Sequence, residues 1–270
     1  MGVCVVMLYE IAKREFANGV VYLLKTEDGY LLEVTDTFLP YYTKNCINEH
    51  TNKLHKAELG SRQERWMIGV SCMSGCPVHC RFCATGKLNK WRNLTTSEII
   101  EQVKFVLNKR DKDNPRDSKE FKINYTRMGE PFLNIDNVRG AISGISELLS
   151  DTRVHHYIST IGIKGSDYSW IRDNITLQLS LHSLNEERRH DLIPIDGLMS
   201  IEELGKVRTQ SALKTTLNMT LVDTADFDIE LLKKYFDKDH FFIKLSPINE
   251  NDISIANEMG KGIIEGQNIL

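Results

Sequence analysis

Short apolar runs alternate with amphipathic stretches between residues 66 and 245, and this constrains the 270-residue chain more than any other feature. Apolar runs rich in β-branched or aromatic residues recur at 66–71, 121–125, 156–160, 175–181, 215–221 and 241–245. Helically spaced stretches lie between them: 96–108, carrying Ile99, Ile100, Val103, Phe105, Val106 and Leu107, then 135–149, the less regular 168–172, 186–192 and 229–236. Strands that alternate with helices need crossover connections, which set the strands parallel and lay the helices on the sheet. The expected class is α/β, as a partial barrel or an open doubly wound sheet, with ligands beyond the carboxyl ends of the strands.

Ahead of this region, Val20-Val21-Tyr22-Leu23-Leu24 and Tyr30-Leu31-Leu32-Glu33-Val34 flank Thr26-Glu27-Asp28-Gly29. That composition and its Asp-Gly turn predict a β-hairpin. Residues 40–65 are polar, with His50, Asn52, Lys53, His55 and Lys56, and lack a period, which predicts a long connection. The expected domains are a hairpin extension with its connection at 1–64, the barrel at 65–250 and a tail at 251–270.

Charge sets limits on partners. Against 37 Asp+Glu stand 34 Lys+Arg, a formal net charge of −3, which excludes a binder of nucleic acid by bulk charge and leaves room for a local patch. The 12 Lys+Arg against six Asp+Glu between Cys76 and Arg127 form the one basic region. A solvated helix face and loop around Lys109-Arg110-Asp111-Lys112 explains them most simply; the alternative is a rim that approaches phosphates. No run reaches the roughly 18 to 20 apolar residues of a membrane span. The opening MGVCVVMLY has no basic start and meets Glu10 at once, so a cytoplasmic protein without a membrane partner is expected.

Four of the six cysteines, Cys72, Cys76, Cys80 and Cys83, fall within twelve residues, and none follows Cys83. Clustered thiols in a reducing compartment read as metal ligands or redox groups before disulfides. The C-x3-C-x2-C spacing of Cys76, Cys80 and Cys83 begins directly after the first core strand. Zinc ribbons use distant C-x2-C pairs, whereas soft thiolates on one compact loop suit an iron-sulfur cube. Three ligands leave one iron open to a substrate. If Cys72 is a fourth ligand, the site is a closed electron-transfer cluster or a zinc site.

The loop, with the strand before it, resembles the radical S-adenosylmethionine enzymes. The string Gly75-Cys76 through Cys80-Arg81-Phe82-Cys83-Ala84-Thr85-Gly86, with Arg92-Asn93-Leu94-Thr95 and Glu98-Ile99-Ile100-Glu101-Gln102-Val103, is similar to the RlmN/Cfr family of RNA adenine methyltransferases. So are Met128-Gly129-Glu130-Pro131-Phe132-Leu133-Asn134, Ser159-Thr160 with Gly162, and Ser180-Leu181-His182 followed by Ile193-Pro194. The resemblance implies a partial (β/α)6 barrel of the radical type with the small hairpin appended. It implies a [4Fe-4S] cluster on Cys76, Cys80 and Cys83, and S-adenosylmethionine held by Gly129, Glu130, Ser159, Ser180, Leu181, His182 and Asn249. Reductive cleavage to a 5′-deoxyadenosyl radical, an electron donor of flavodoxin or ferredoxin type, and an RNA or nucleotide substrate follow from it. Glu33 matches a glutamate to which the family assigns proton abstraction; a solvent-exposed hairpin glutamate is the alternative. His79 is expected to face solvent, and Trp91 to pack in preference to stacking on a base.

The family's two methyl-transfer cysteines are not matched. No cysteine follows Cys83, and Gly69 stands seven residues before Cys76. Hydrogen abstraction leading to another modification is more compatible with this than methylation through a cysteine carrier. A non-catalytic iron-sulfur or zinc protein is the competing class, and it has no need of the cofactor contacts.

Overall fold

The computed structural model describes residues 6–39, 47–48, 53–54, 59–221, 226–248, 251–257 and 259. Cys4, Cys46 and Asn249 lie outside these, as do most of the polar connection and the end of the tail. In chain order the strands begin with β1 (Leu8–Phe16), β2 (Gly19–Thr26), β3 (Leu31–Phe38), β4 (Ile47–Asn48), β5 (Lys53–Leu54), β6 (Arg65–Gly69), β7 (Met73–Ser74) and β8 (Arg92–Asn93). Then come α1 (Thr96–Lys109), β9 (Glu120–Tyr125), α2 (Ile135–Leu148), β10 (Val154–Thr160), β11 (Ile175–Ser180), α3 (Glu186–Leu192) and α4 (Ile201–Gly205). The last elements are β12 (Thr215–Leu221), α5 (Ile229–Tyr235), β13 (Phe241–Pro247) and α6 (Asp252–Ala256). Two compact units divide the chain: Met1–Cys72 with Leu94–Arg127 and Asp136–His156, and Met73–Asn93 with Met128–Ile135 and Tyr157–Leu270.

In the first unit β1, β2 and β3 form an antiparallel meander, β3 pairs antiparallel with β6, and β6 pairs parallel with β9. The hairpin read from the sequence is β2 and β3, its turn closed by Thr26 N donating to Tyr30 O at 2.9 Å. Its far strand is hydrogen-bonded to the first core strand through Thr35 and Gly69. Helix α1 starts in a capping box, where Thr95 Oγ1 accepts from Glu98 N and a Glu98 carboxylate oxygen accepts from Thr95 N. Gln102 on its buried face bonds both Ser71 N and Ser71 O at 2.8 and 2.9 Å, so the helix is fastened to the exit of β6. Trp66, Ile68, Phe121 and Ile123 are buried in the core, and each such side chain contributes about 1.5–3 kcal/mol.

The second unit carries β11, β12 and β13 as parallel neighbours and receives the carboxyl end of β10, which begins in the first unit. Along β10 buried Ile158 and Thr160 alternate with half-buried Tyr157 and Ser159, and along β11 buried Leu177 and Leu179 alternate with half-buried Gln178 and Ser180. One face of these strands therefore keeps polar side chains accessible. Val78, Ile161, Leu192, Ile193, Leu198, Ile248 and Met259 form a buried apolar cluster at the carboxyl ends. The helix expected at 168–172 is absent: Asp167 accepts from Ser169 N at 2.8 Å and from the Trp170 indole at 3.0 Å through its backbone oxygen, which closes turns instead. Among the described residues no helix is long and apolar enough to cross a membrane.

Candidate cofactor site

Two reverse turns shape the cysteine loop in the second unit. Cys83 N donates to Cys80 O at 3.0 Å and Gly86 N to Cys83 O at 3.2 Å. Cys76, Cys80 and Cys83 are free thiols, partly buried, and Cys76 and Cys80 pack against the apolar cluster. Burial pushes Cys76 up to about 12, with the charges of Cys83 and Glu130 adding to it. Cys80 is raised by burial, then by the neighbouring thiols and Glu130. Without a metal these groups stay protonated, so a metal that binds there must displace protons. Cys72 is buried in the first unit and forms no disulfide among the described residues.

The loop is held from outside by residues that the sequence did not mark. Arg81 pairs with Asp191 of α3, which also takes Arg188 at 2.9 Å, while Arg81 N donates to Leu192 O at 3.0 Å. From around α6, Asn251 Nδ2 donates to Phe82 O at 3.0 Å, Asn257 Nδ2 to Arg81 O at 2.8 Å, and Asp252 pairs with Lys87 at 2.8 Å. What reads as a weakly patterned tail thus fastens the two residues between Cys80 and Cys83. His79, exposed and at φ 52°, donates from Nδ1 to Gly86 O at 3.1 Å, which leaves it a bracing part. Trp91 is 47% exposed. Eight of the twelve cations between Cys76 and Arg127 are held in ion pairs, so the basic stretch is largely neutralised.

Gly129 adopts φ 102°, a conformation that favours glycine. Glu130 follows it, fully buried; one carboxylate oxygen accepts from Phe132 N and the other from Ile161 N, each at 3.0 Å. Burial lifts Glu130 to about 7. Ser159 and Ser180 place their hydroxyls 3.2 Å apart across the ends of β10 and β11. Leu181 N and His182 N both donate to Asn218 O, at 3.0 and 3.4 Å. His182 sits at φ 61°, an uncommon conformation for a non-glycine residue, and burial pulls it down to about 3. Its Nδ1 accepts from Thr220 N at 3.2 Å, so the neutral ring carries its proton on Nε2. That ring meets Phe82 edge to face at 4.8 Å, which brings the fourth strand end against the cysteine loop.

Two neighbours escaped the sequence. Asn218 donates to Gln178 Oε1 at 3.2 Å and leaves a buried Oδ1 without a partner among the described residues. Its register partners are Ser180 on β11 and Lys244 on β13, and this row was legible only as strand-end polarity. Glu33, in the first unit, pairs with Arg127 at 2.5 Å.

Among the described residues no three His, Cys, Asp or Glu side chains gather tightly enough for a single metal ion. Cys76, Cys80 and Cys83 nevertheless lie near enough to act on one another's charge, and soft thiolates on one compact loop are the donors that a cube takes, one to each of three irons. The donor set therefore fits an iron-sulfur cluster. The Radical SAM superfamily model matches residues 70–235. The chain belongs to the radical S-adenosylmethionine superfamily. Membership implies a [4Fe-4S] cluster and S-adenosylmethionine as cofactors. A probable dual-specificity RNA methyltransferase RlmN of Dictyoglomus turgidum is 36% identical over 225 residues, 82% of this chain and 56% of the relative. The dual-specificity RNA methyltransferase RlmN of Helicobacter hepaticus is 36% identical over 203 residues, 71% and 53% of the two chains. The chain spans about half the length of the curated relatives it matches. A radical SAM methyltransferase from Sphaerobacter thermophilus shares the fold, with a TM-score of 0.64 at 22% identity over 90% of this chain and 67% of that one. The α/β fold and the RlmN/Cfr resemblance read from the sequence stand.

Proposed function

We propose that Cys76, Cys80 and Cys83 hold the cluster, that its open iron receives S-adenosylmethionine, and that this radical enzyme acts on a nucleobase of RNA in the cytoplasm, supplied by a flavodoxin- or ferredoxin-type donor. The observation that carries this reading is three free thiols on one fastened loop, with the Glu130 carboxyl acting on two of them and the His182 ring against Phe82. A cluster held by Cys76, Cys80 and Cys83 would supply, once reduced by the donor, the single electron for reductive cleavage of S-adenosylmethionine. The chain's own part is binding and exclusion of water. Gly129 lets the backbone approach a ligand, and Glu130 keeps lone pairs for an ammonium group beyond the two backbone bonds it accepts. The Ser159 and Ser180 hydroxyls suit a sugar, Leu181 and His182 complete the contact, and Asn249 follows β13 as a further one. His182 offers a neutral Nε2–H. Glu33 would serve as a base only once released from Arg127. The family names of the relatives support RNA as substrate.

A second reading, modification without methyl transfer through a thiol carrier, is favoured by Gly69. A Cβ there would lie 2.4 Å from Thr35 Oγ1 and 3.2 Å from Arg127 Cδ, so a thiol at the position that the family resemblance assigns to one would need the Thr35 and Arg127 side chains to shift. The test is anaerobic reconstitution of the full chain with iron, sulfide and reductant. Formation of 5′-deoxyadenosine from S-adenosylmethionine, lost in Cys83→Ala, is expected. None from cluster-loaded protein overturns the enzymatic reading. Nucleoside mass spectrometry of RNA treated with the enzyme then separates the readings, since a methylated adenine rejects the second.

A further inference from the structure

Arg189 on α3 is fully buried, a place where arginine is almost never found unpaired. Nη1 donates to Met199 O at 2.6 Å and Nη2 to Ile161 O at 2.5 Å, while Nε is buried without a partner. Among the described residues no carboxylate stands within ion-pair distance of it. Glu186, on the same helix, gives a carboxylate oxygen to Ile201 N at 2.5 Å. Two backbone carbonyls take two of the guanidinium's five hydrogens and none of its charge, and a buried charge without a paired counter-charge costs several kcal/mol. Burial pulls the group down only to about 10, so it remains a cation at neutral pH.

The surroundings indicate where the missing negative charge belongs. The charge of Arg189 acts on His182; Glu186 acts on Arg189 from beyond ion-pair distance, and after it an ionised Cys80 is the next charge to do so. Leu192, three residues on along α3, accepts from Arg81 N inside the cysteine loop and lies in the cluster against which Cys76 and Cys80 pack. A [4Fe-4S] core of charge 2+ with three thiolates has a net charge of −1, and one electron takes it to −2. A nearby cation in a medium of low dielectric stabilises the second state more than the first. We propose that Arg189 is the buried counter-charge of the cluster on Cys76, Cys80 and Cys83, and that it raises the cluster's reduction potential so that a low-potential one-electron donor can reduce it.

This rests on the ligand assignment above, and the experiment separates the two. Full-length wild type, Arg189→Lys, Arg189→Gln and Arg189→Met are loaded with iron and sulfide anaerobically, their iron is counted, and each is titrated with dithionite under electron paramagnetic resonance. Arg189→Lys keeps the charge and should titrate with wild type. Arg189→Gln and Arg189→Met should show at least a tenfold lower ratio of reduced to oxidised cluster at the wild-type midpoint, which is 59 mV for one electron. A glutamine variant that loses the cluster while the lysine variant keeps it also supports the counter-charge. Neutral variants that reduce at the wild-type potential overturn the proposal. So does a lysine variant that shifts or fails as the glutamine variant does, because the guanidinium would then act as a clamp. A Cys83→Ala protein that still holds four irons overturns the ligand assignment instead.

Discussion

Asp36 in the first unit and Arg189 in the second are both fully buried charges, but their surroundings treat them oppositely. The Asp36 carboxylate accepts both Arg62 Nε and Nη2, at 3.1 and 2.6 Å, the Trp66 indole at 2.8 Å and Arg110 Nε at 2.6 Å. Arg189 has two carbonyls and, among the described residues, no carboxylate within ion-pair distance, Glu186 acting on it only from farther off. Around Asp36 the fold is complete in itself, and its polar groups serve packing. The second unit keeps, among its described residues, the Arg189 cation without an ion pair, an unpartnered Asn218 Oδ1, and His79 and His182 at positive φ. Strain and unpaired polarity persist where something else is meant to bind. The first unit therefore answers to stability measurements, and the second to cofactor measurements.

The sharpest break is Asp36→Ala, which strands Arg62 and Arg110 and should cost about 3–5 kcal/mol in urea unfolding. Iron loading of the protein that remains folded should not change. Next is the acid limb. His156 is buried between the Tyr125 and Ser146 hydroxyls at 3.2 Å each, and burial pulls it down to about 4 from 6.5. Since the folded value is the lower one, its contribution is present above about 6.5 and is lost as pH falls towards 4. Wild type should lose up to about 3 kcal/mol more than His156→Gln between pH 7 and pH 4, read from denaturation at the two values. Gly69→Ala should cost about 1–3 kcal/mol because its Cβ meets Thr35. Equal stability there would remove the support for the second functional reading. Smallest in stability is Asn257→Ala, about 1 kcal/mol, with a distinct signature: the bond to Arg81 O is gone, and iron should leave the cluster faster under chelator than in wild type.

Much of this contrast was legible in the chain and part was not. The parallel strands fall within two residues of their sequence positions because β-branched and apolar residues mark buried strands directly. Strand β1, Leu8–Phe16, was missed because it is exposed on both faces and carries Lys13, Arg14 and Glu15, so no apolar face announces it. Helix α4 was missed although Ser200 and Glu203 form a capping box that could have revealed it. Spacing and order singled out the cysteine loop and the strand-end residues proposed with it. Arg189 was not: in Glu186-Glu187-Arg188-Arg189-His190-Asp191 every residue reads as solvated. Only tertiary packing decides that Arg188 turns to Asp191 while Arg189 goes inside. The role of the tail was hidden for the same reason, since Asn251 and Asn257 look like loop residues until their amides meet the backbone of Arg81 and Phe82.

The central claim is a cube with one open iron on three thiolates. Electron paramagnetic resonance of the reduced, cluster-loaded full chain tests it most directly, recorded with and without S-adenosylmethionine beside an iron count. About four irons per chain, a cubane signal that changes when S-adenosylmethionine is added, and loss of both in Cys83→Ala are the predicted results. A signal indifferent to S-adenosylmethionine, or a full iron count in Cys83→Ala, would contradict the account.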